Sequence, residues 1–456
     1  MSPRSLAVFP ILFLLLFVSV SDVRAQDEKA KVKLTSEAKM AREYALGMLD
    51  EMGEVMKEYY YDPKFRGVDL KTRIETAKAR VKTLQFNWQM YRVLVQVLME
   101  FNDSHTRMHL PPRSDYFQYG LGWQMIGDEC YVVSVKRDSD AAKKGIEVGD
   151  QILSIGKFTP TRNDLWKINY LIYRLAPERV LDLKVKKPDG TEKALVIDAK
   201  TMTDKEFRAE QKARRAKDKE KYEPFKCNEV NKELVACRLD TFIVEKNDIE
   251  KMMKTASAYP KLILDLRGNG GGYVVMEQFL LSYFFDREVK IADLITKTKT
   301  DTRTTKVFDD SKQYKGQVAV LIDSNSASAS EITARVLQLE GRAKIYGDFS
   351  SGSVMTSITV PFRSVMGALS EAAIIRVGMS VTVGDVVMRD GSRLEHKGVT
   401  PDEVLQPMGV ALKMKADAVL AYAAMKLGSE ISPEEAGKFY FITEKDEPAD
   451  DETAEN

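Results

Sequence analysis

The stretch Gln317-Val-Ala-Val-Leu-Ile-Asp-Ser-Asn-Ser-Ala-Ser-Ala-Ser-Glu331 places a run of apolar residues directly before a cluster of serines. The apolar run predicts a buried strand over residues 317–322. Beyond the serines, Ile332, Val336 and Leu339 recur at helical spacing and predict a helix. The serine cluster is therefore expected at a strand-to-helix turn, around which the neighbouring chain is organised.

The serines at this turn have two interpretations. A hydroxyl there can act as a nucleophile, because free backbone N–H groups and the positive end of the helix dipole face any negative charge that develops. The serines could instead only cap the helix, with Ser328 and Glu331 forming a capping box. Residues 326–331 taken alone favour capping, so the choice between the two interpretations depends on the rest of the chain.

The residues around this turn alternate between strand and helix patterns. Strands are predicted at 235–239, 262–266, 317–322 and 344–346, and helices at 247–258 and 274–285. This alternation predicts an α/β sheet domain over residues 225–406. One strand leads into the glycine loop Arg267-Gly-Asn-Gly-Gly-Gly272, whose backbone can approach a ligand closely. A phosphate-binding P-loop is not predicted, since the Lys and Ser/Thr of that motif are missing.

A further domain is predicted over residues 116–200. Strand-like runs occupy 130–135, 151–155 and 181–185, with a short helix after Ser139 and another over 163–175. This region resembles a PDZ domain, in which Gly120, Leu121 and Gly122 would form the carboxylate-binding loop. The exposed sheet edge of such a domain accepts an extended peptide as an added strand. The alternative is a small barrel that only packs.

Residues 36–110 are predicted to form an N-terminal helical domain, because apolar residues recur at helical spacing. The last of these helices ends in Phe101-Asn-Asp-Ser-His-Thr-Arg107, which places His105 just beyond a helix end. The chain has only three histidines. One histidine can serve as a general base near neutral pH, although a lone histidine in such a place can also be structural.

The remaining segments have simpler patterns. Residues 1–25 are predicted to be a secretory signal peptide, because Arg4 precedes an apolar run that is short for a membrane anchor. We therefore expect an exported protein, periplasmic or extracellular, without a membrane segment after signal cleavage. Residues 201–224 carry mixed charges and predict an exposed helix or a charged linker. A C-terminal helix is expected within 407–443, centred on 409–427, before a disordered acidic tail over 444–456.

The composition limits the kinds of partner. The chain has 456 residues and a formal net charge of +1, so no overall field favours nucleic acid. Its three cysteines form neither a disulfide scaffold nor a metal-ligand pattern, and no cofactor or metal is expected. Cys227 and Cys237 flank a short segment and could form a disulfide across a hairpin, whereas Cys130 lies in a strand-like run.

Residues 36 to about 405 resemble the C-terminal processing peptidases, also called tail-specific proteases. The resemblance rests on the order of the domains and on several motifs together. Besides the PDZ-like region, these are Asp103-Ser-His-Thr106, Leu264-Asp-Leu-Arg-Gly-Asn-Gly-Gly-Gly272, Ser326-Ala-Ser-Ala-Ser-Glu331, Gly341-Arg-Ala343 with Gly347, and Gly398-Val-Thr-Pro-Asp402. The resemblance implies a multidomain α+β and α/β architecture: a helical N-terminal region, a PDZ domain and a crotonase-like βαβ catalytic domain.

The same resemblance implies roles for individual residues. Ser328 would be the nucleophile, and Ala329 together with Gly270 or Gly271 would supply the N–H groups of the oxyanion hole. Many members pair the serine with a lysine in a Gly-Lys-Gly turn, but Ser353 occupies that position here. A Ser-Lys mechanism would therefore require another lysine to move in.

A second branch of the family, related to the tricorn core protease, uses a histidine that follows a serine. Ser104 and His105 match that motif, and Glu395 matches its downstream glutamate. We therefore expect His105 to act as general base and then general acid, with Ser104 and Glu395 orienting the imidazole. Glu331 is a competing candidate for the acidic member.

Three functions follow from these patterns. The first is an exported serine endopeptidase that cleaves near unstructured protein C-termini, with the PDZ domain engaging or gating the protein or peptide tail. The second is a catalytically inactive family member that binds a peptide or ligand, an alternative motivated by the missing lysine. The third is a scaffold that uses only the PDZ domain.

Overall fold

The computed structural model of the chain describes residues 36–111, 114–221, 223–365, 377–407 and 409–439. The predicted signal peptide and the predicted acidic tail lie outside these residues. In the described part of the chain, no helix combines the length and the apolar character that crossing a bilayer requires.

Three N-terminal helices pack around one apolar core. They are α1 (Ser36–Tyr59), α2 (Leu70–Val81) and α3 (Asn87–Met99). Helix α2 begins at Asp69, whose carboxylate accepts the Thr72 N–H at 3.1 Å as an N-cap. The core of these helices also contains Phe362, Met379 and Val381 from much later in the chain. The N-terminal helices therefore share a core with part of the predicted α/β domain.

The PDZ region forms a five-stranded antiparallel sheet in the order β3-β4-β5-β6-β7. The region's elements are β2 (Asp115–Gln118), β3 (Leu121–Ile126), β4 (Glu129–Val135), α4 (Asp140–Lys143), β5 (Gln151–Ile155), α5 (Leu165–Asn169), β6 (Val180–Lys186), β7 (Glu192–Asp198) and β8 (Lys200–Thr203). A π-helical turn over Tyr170–Leu175 continues α5. Strand β3 lies at an edge of this sheet, as peptide addition requires.

The charged segment after the PDZ region is structured from its start. Strand β8 pairs with β2, and α6 (Asp204–Lys221) follows directly. Phe207 of α6 stacks on Tyr116 of β2 with ring centroids 4.0 Å apart. Of the two predictions for residues 201–224, an exposed helix or a linker, the helix describes most of the segment.

A six-stranded sheet in the order β18-β15-β14-β11-β10-β9 forms the centre of the α/β part. Its strands are β9 (Phe225–Asn231), β10 (Leu234–Leu239), β11 (Lys261–Asp265), β14 (Gln317–Ile322), β15 (Lys344–Gly347) and β18 (Glu403–Val404). Neighbouring strands are parallel except for the β9–β10 pair. The accompanying helices are α7 (Lys246–Ala256), α8 (Val274–Leu281) and α9 (Ala329–Leu339). The predicted α/β alternation is confirmed.

A second sheet was not predicted from the sequence. It contains β1 (Arg107–His109), β12 (Lys290–Thr296), β13 (Thr300–Thr304), β16 (Thr356–Pro361) and β17 (Gly378–Met388). Strand β17 pairs antiparallel with β1, β12 and β16. The β1–β17 pairing joins the end of the N-terminal region to the predicted α/β domain.

The predicted C-terminal helix is interrupted. It consists of α10 (Gly409–Met414), α11 (Ala418–Lys426) and the short α12 (Pro433–Ala436). Lys415 has a positive φ of 54°, which ends α10, and the Asp417 carboxylate accepts the Leu420 N–H to begin α11. The prediction of one helix over 409–427 is therefore wrong.

Cys227 and Cys237 face each other across the β9–β10 hairpin and form a disulfide. Cys130 is a buried free thiol in β4.

Candidate active site

Ser328 lies at the turn between β14 and α9, as the sequence predicts. Its backbone has φ 55° and ψ −118°, a conformation that a residue other than glycine rarely adopts. The Ser328 N–H donates to the Ser353 carbonyl at 2.9 Å and to the Glu331 carboxylate at 3.0 Å. The strained turn leaves this residue half-buried rather than inside the core.

Glu331 fastens the Ser328 turn to the turn over residues 350–353. Its fully buried carboxylate also accepts hydrogen bonds from the Ser350 hydroxyl at 2.6 Å, the Gly352 N–H at 2.7 Å and the Ser353 N–H at 2.9 Å. Burial raises the pKa of Glu331 to about 7, while these hydrogen bonds favour the charged form. The Ser328 N–H bond to Glu331 is the contact that the capping interpretation predicts, and the bonds to the turn over residues 350–353 add a positioning role.

The glycine loop distinguishes between the two predicted oxyanion donors. The Gly271 N–H donates to the Asn269 side-chain oxygen at 2.9 Å, which favours Gly270 as the oxyanion donor. Within the described residues, the N–H groups of Gly270 and Ala329 have no hydrogen-bond partner. A Cβ added to Gly271 would lie 2.7 Å from the Ser328 Cβ. The loop therefore packs directly against the candidate nucleophile.

Asn269 is a site residue that sequence reasoning missed. It is fully buried, and its carbonyl accepts the Ala327 N–H and the Ser330 hydroxyl, both at 2.9 Å. Its side-chain amide donates to the Leu239 carbonyl at 2.9 Å. Asn269 thus joins the glycine loop to the serine turn. The sequence signal that could have identified Asn269 is the presence of one amide side chain within a run of glycines.

Ser104, His105 and Glu395 are brought together as the resemblance implies. The Ser104 hydroxyl lies 2.6 Å from His105 Nδ1 and donates to Glu395 Oε2 at 3.0 Å. The Ser104 N–H donates to Glu395 Oε1 at 2.7 Å, and the Val354 N–H donates to Oε2 at 3.1 Å. Val354 directly follows Ser353, whose carbonyl accepts the Ser328 N–H. The segment that carries His105 is therefore connected to the serine turn through Glu395 and the peptide unit between Ser353 and Val354.

Asp103 is a second residue that sequence reasoning left without a role. Its nearly inaccessible carboxylate accepts hydrogen bonds from the His105 N–H at 3.1 Å, the Thr106 N–H at 2.6 Å and the Thr382 hydroxyl at 2.7 Å. The Tyr60 hydroxyl donates to its other oxygen at 2.8 Å. Asp103 therefore fixes the backbone of the His105 segment against both Tyr60, which directly follows α1, and Thr382 of β17.

The Glu395 carboxylate lies in a largely desolvated position, with a side chain only 7% exposed. Burial raises its pKa, whereas the hydrogen bonds from Ser104 and Val354 and the nearby His396 act in the opposite direction. His396 Nε2 lies 3.6 Å from Glu395 Oε1. These contacts place Glu395 where it can orient Ser104 and, through it, the His105 ring.

The position of the family lysine carries a hydroxyl. The Ser353 hydroxyl lies 3.0 Å from that of Ser351. The turn over residues 350–353 therefore contacts Ser328 and Glu331 through its backbone, and residue 353 carries no side-chain amine.

The predicted peptide-binding residues lie at the start of β3. Gly120 has a φ of 73°, and its carbonyl accepts the Lys136 N–H at 2.8 Å. Leu121 is fully buried in the PDZ core, and Gly122 follows it within the edge strand.

Comparisons with known proteins agree with this domain order. Residues 234–405 match peptidase family S41, and residues 118–198 match the PDZ domain. The first match contains the glycine loop, Ser328 and Glu395. The second covers all five strands of the PDZ sheet.

Two curated relatives are proteases. The carboxy-terminal processing protease CtpB of Bacillus subtilis is 24% identical over 385 residues, which cover 82% of this chain and 70% of the relative. The tail-specific protease of Haemophilus influenzae is 26% identical over 329 residues, which cover 66% of this chain and 43% of the relative. This chain thus spans less than half of the second relative.

Two solved structures share the fold. Mature CPAF has a TM-score of 0.63 at 16% identity, with coverage of 82% of this chain and 94% of that structure. The photosystem II D1 C-terminal processing protease has a TM-score of 0.51 at 19% identity, with coverage of 80% and 93%. Taken together, the S41 and PDZ matches and the two curated relatives support the C-terminal processing peptidase family for this chain.

Proposed function

We propose that this protein is a serine endopeptidase in which Ser328 is the nucleophile and His105 is the general base. The observation that carries the proposal is the hydrogen-bonded series from His105 through Ser104 to Glu395. Glu395 also accepts the Val354 N–H, and the carbonyl of the preceding residue, Ser353, accepts the Ser328 N–H. This network supports the proposal, because it links the segment that carries His105 to the strained turn that carries Ser328.

In the proposed reaction, His105 Nδ1 carries a proton that it donates to the Ser104 hydroxyl, which in turn donates to Glu395. This arrangement leaves Nε2 with the lone pair that accepts the Ser328 proton. The Ser328 oxygen then attacks the peptide carbonyl carbon. His105 passes the proton to the leaving amine as the C–N bond breaks, and water hydrolyses the acyl-enzyme by the same route.

The developing oxyanion would accept hydrogen bonds from the backbone N–H groups of Gly270 and Ala329. Gly270 directly precedes Gly271, which packs against Ser328, and Ala329 is the first residue of α9, where the helix dipole favours negative charge. This assignment removes Gly271 from the oxyanion hole because its N–H is already donated to Asn269.

We further propose that the substrate is an unstructured protein C-terminus and that the PDZ domain engages or gates it. The edge position of β3 supports strand addition by such a tail. Export to the periplasm or the cell exterior is likewise proposed from the pattern of residues 1–25. A crotonase-like arrangement of the catalytic βαβ units remains part of the proposal.

The mechanism is tested with the secreted form of the protein and a loosely folded substrate such as reduced casein. We expect Ser328→Ala and His105→Ala to abolish cleavage. Ser114→Ala is the control, because Ser114 is exposed and its hydroxyl donates to the neighbouring Asp115, away from the proposed site. Equal cleavage by the wild type and both site variants would contradict the mechanism. Peptide binding without any cleavage by the wild type would favour a non-catalytic binding protein instead.

A further inference from the structure

A buried ion pair joins the glycine loop to the C-terminal helices. Arg267, the first residue of the loop, donates from Nη1 to Asp417 Oδ1 at 2.9 Å and from Nη2 to Oδ2 at 2.6 Å. The Arg267 side chain is 15% exposed and that of Asp417 is 1% exposed. Asp417 lies about 90 residues beyond Ser328, in a segment that the proposed reaction does not use.

The same guanidinium also holds the strand that precedes the loop. Arg267 Nε and Nη2 donate to the two carboxylate oxygens of Asp265 at 2.9 and 2.7 Å, and the Arg267 N–H adds a third bond at 3.0 Å. Burial alone would raise the pKa of Asp265, but the Arg267 charge and its hydrogen bonds hold that pKa below its usual value. Because Asp265 and Asp417 each accept two hydrogen bonds from the Arg267 guanidinium, the orientation of its plane is fixed.

This fixed arginine lies three residues before Gly270, the proposed oxyanion donor. Gly268 and Gly271 have φ values of 69° and 98°, and glycine backbones lose much conformational freedom when they are held in one conformation. The loop therefore needs restraints from outside. Asp323 supplies one by accepting the Gly268 N–H at 2.8 Å, and Arg267 supplies another at the start of the loop.

Asp417 is itself held rigidly. As the N-cap of α11, it accepts the Leu420 N–H at 3.0 Å. Helix α11 packs Val419 and Leu420 in one core cluster with Ile263 of β11 and Leu321 of β14. The helix thus presents the carboxylate to Arg267 from a fixed position on the central sheet.

We propose that Arg267 and Asp417 are positioning residues for the oxyanion hole, so that helix α11 is part of the catalytic apparatus. This inference rests on the proposed peptidase function. Loss of the ion pair would free the start of the glycine loop and misplace the Gly270 N–H. Substrate binding elsewhere would remain, so kcat should fall while KM stays nearly constant.

Two substitutions separate the ion pair from the helix cap. Asp417→Ser retains an N-cap oxygen for α11 but removes the carboxylate that faces Arg267. Asp417→Glu retains a carboxylate. Asp402→Asn is the matched control, because Asp402 accepts the Ile345 N–H and pairs with Lys344 rather than with the glycine loop.

The readouts are kcat and KM on a peptide substrate and the affinity for a peptide aldehyde, whose adduct oxygen would occupy the oxyanion hole. We expect Asp417→Ser to lower kcat and aldehyde affinity in parallel by at least about tenfold, with KM within about twofold. Asp417→Glu should recover part of both losses. Asp402→Asn should behave like the wild type.

The inference is overturned if Asp417→Ser retains wild-type kcat and aldehyde affinity, or if Asp402→Asn loses as much. Failure of both Asp417 variants to fold would also overturn it, since the ion pair would then stabilise the whole fold rather than position the loop. Failure of the peptidase proposal itself would be seen in the wild-type protein rather than in the variants. In that case, the wild type cleaves no peptide and a fluorophosphonate leaves Ser328 unlabelled.

Discussion

Ser104 connects the candidate general base to the buried acid, because its hydroxyl contacts both His105 and Glu395. We expect Ser104→Ala to lower kcat by at least about tenfold, since the imidazole loses the partner that fixes its orientation and tautomer. KM should change little because Ser104 has no assigned substrate contact. Steady-state kinetics on a peptide substrate measures both quantities.

Ser351→Ala is the control for this substitution. Its hydroxyl lies near that of Ser353 and outside the His105–Glu395 series. A loss of kcat in Ser351→Ala equal to that in Ser104→Ala would mean that Ser104 has no specific role.

Glu277 offers a prediction about pH and stability. It is fully buried in α8, and neither carboxylate oxygen has a hydrogen-bond partner among the described residues. Burial raises its pKa to about 7, opposed by the charge of Arg303. The folded protein therefore binds the proton more tightly than the unfolded chain. As pH rises from about 4.5 to about 7, the group lowers the free energy of unfolding by on the order of 3 kcal/mol.

Glu277→Gln should remove this pH dependence. At pH 8 the variant should have the higher free energy of unfolding, and at pH 4.5 it should match the wild type. Urea denaturation at the two pH values measures the difference, with the exposed Glu54→Gln as control. A Glu277→Gln protein that is less stable than the wild type at pH 8 would show that the carboxylate is stabilised in the folded state.

At the scale of single elements, the glycine loop and helix α9 depend on a close backbone approach. Gly271 has a φ of 98°, and a Cβ there would lie 2.7 Å from the Ser328 Cβ and 2.9 Å from the Ala327 carbonyl oxygen. We expect Gly271→Ala to lower kcat/KM by about a hundredfold or more, because the loop and the serine turn must separate. Hydrolysis of a peptide substrate by the folded variant checks this expectation.

Gly270→Ala is the informative comparison. A Cβ at Gly270 meets no atom within 4 Å, and alanine keeps the N–H that we assign to the oxyanion hole. Gly270→Ala should therefore retain much more activity than Gly271→Ala. The reverse order would contradict the packing of the loop against Ser328.

At the scale of the whole molecule, Arg162 attaches the PDZ domain to the catalytic part. Its guanidinium donates to the Gly127 carbonyl at 2.7 Å and the Phe349 carbonyl at 3.1 Å, and it forms an ion pair with Asp348. Arg162→Ala should lower the free energy of unfolding by about 1–3 kcal/mol, because the buried Asp348 loses its cation. The Gly127 amide, which donates to Asp348, should exchange hydrogen faster.

Denaturant titration and hydrogen exchange test this attachment. Lys184→Ala, which breaks the exposed PDZ ion pair with Glu192, should change stability by less than about 0.5 kcal/mol. Unchanged exchange at Gly127 in Arg162→Ala would mean that other contacts suffice to hold the PDZ domain.

Local patterns were enough to predict most of the helices and the strands on either side of the serine turn. The strand over 317–322 and the helix after Ser328 follow from apolar spacing, which reports directly on which face is buried. The break near Lys415 was missed because the helical apolar spacing of residues 409–427 continues across it. The sheet of β1, β12, β13, β16 and β17 was also missed, since β17 pairs with β1 and β12, which lie far away along the chain.

The sequence alone determined the order of the domains and the α/β character of the catalytic part, and its resemblance to a known family supplied the candidates Ser328, His105 and Glu395. It could do so because motifs and periodicity are local properties. Only the tertiary structure placed Ser104 beside Glu395, 291 residues away, and assigned the Gly271 N–H to Asn269. It also joined Arg267 to Asp417. These contacts depend on how β1, β17 and α11 pack, and that packing free energy belongs to the whole chain rather than to any one segment.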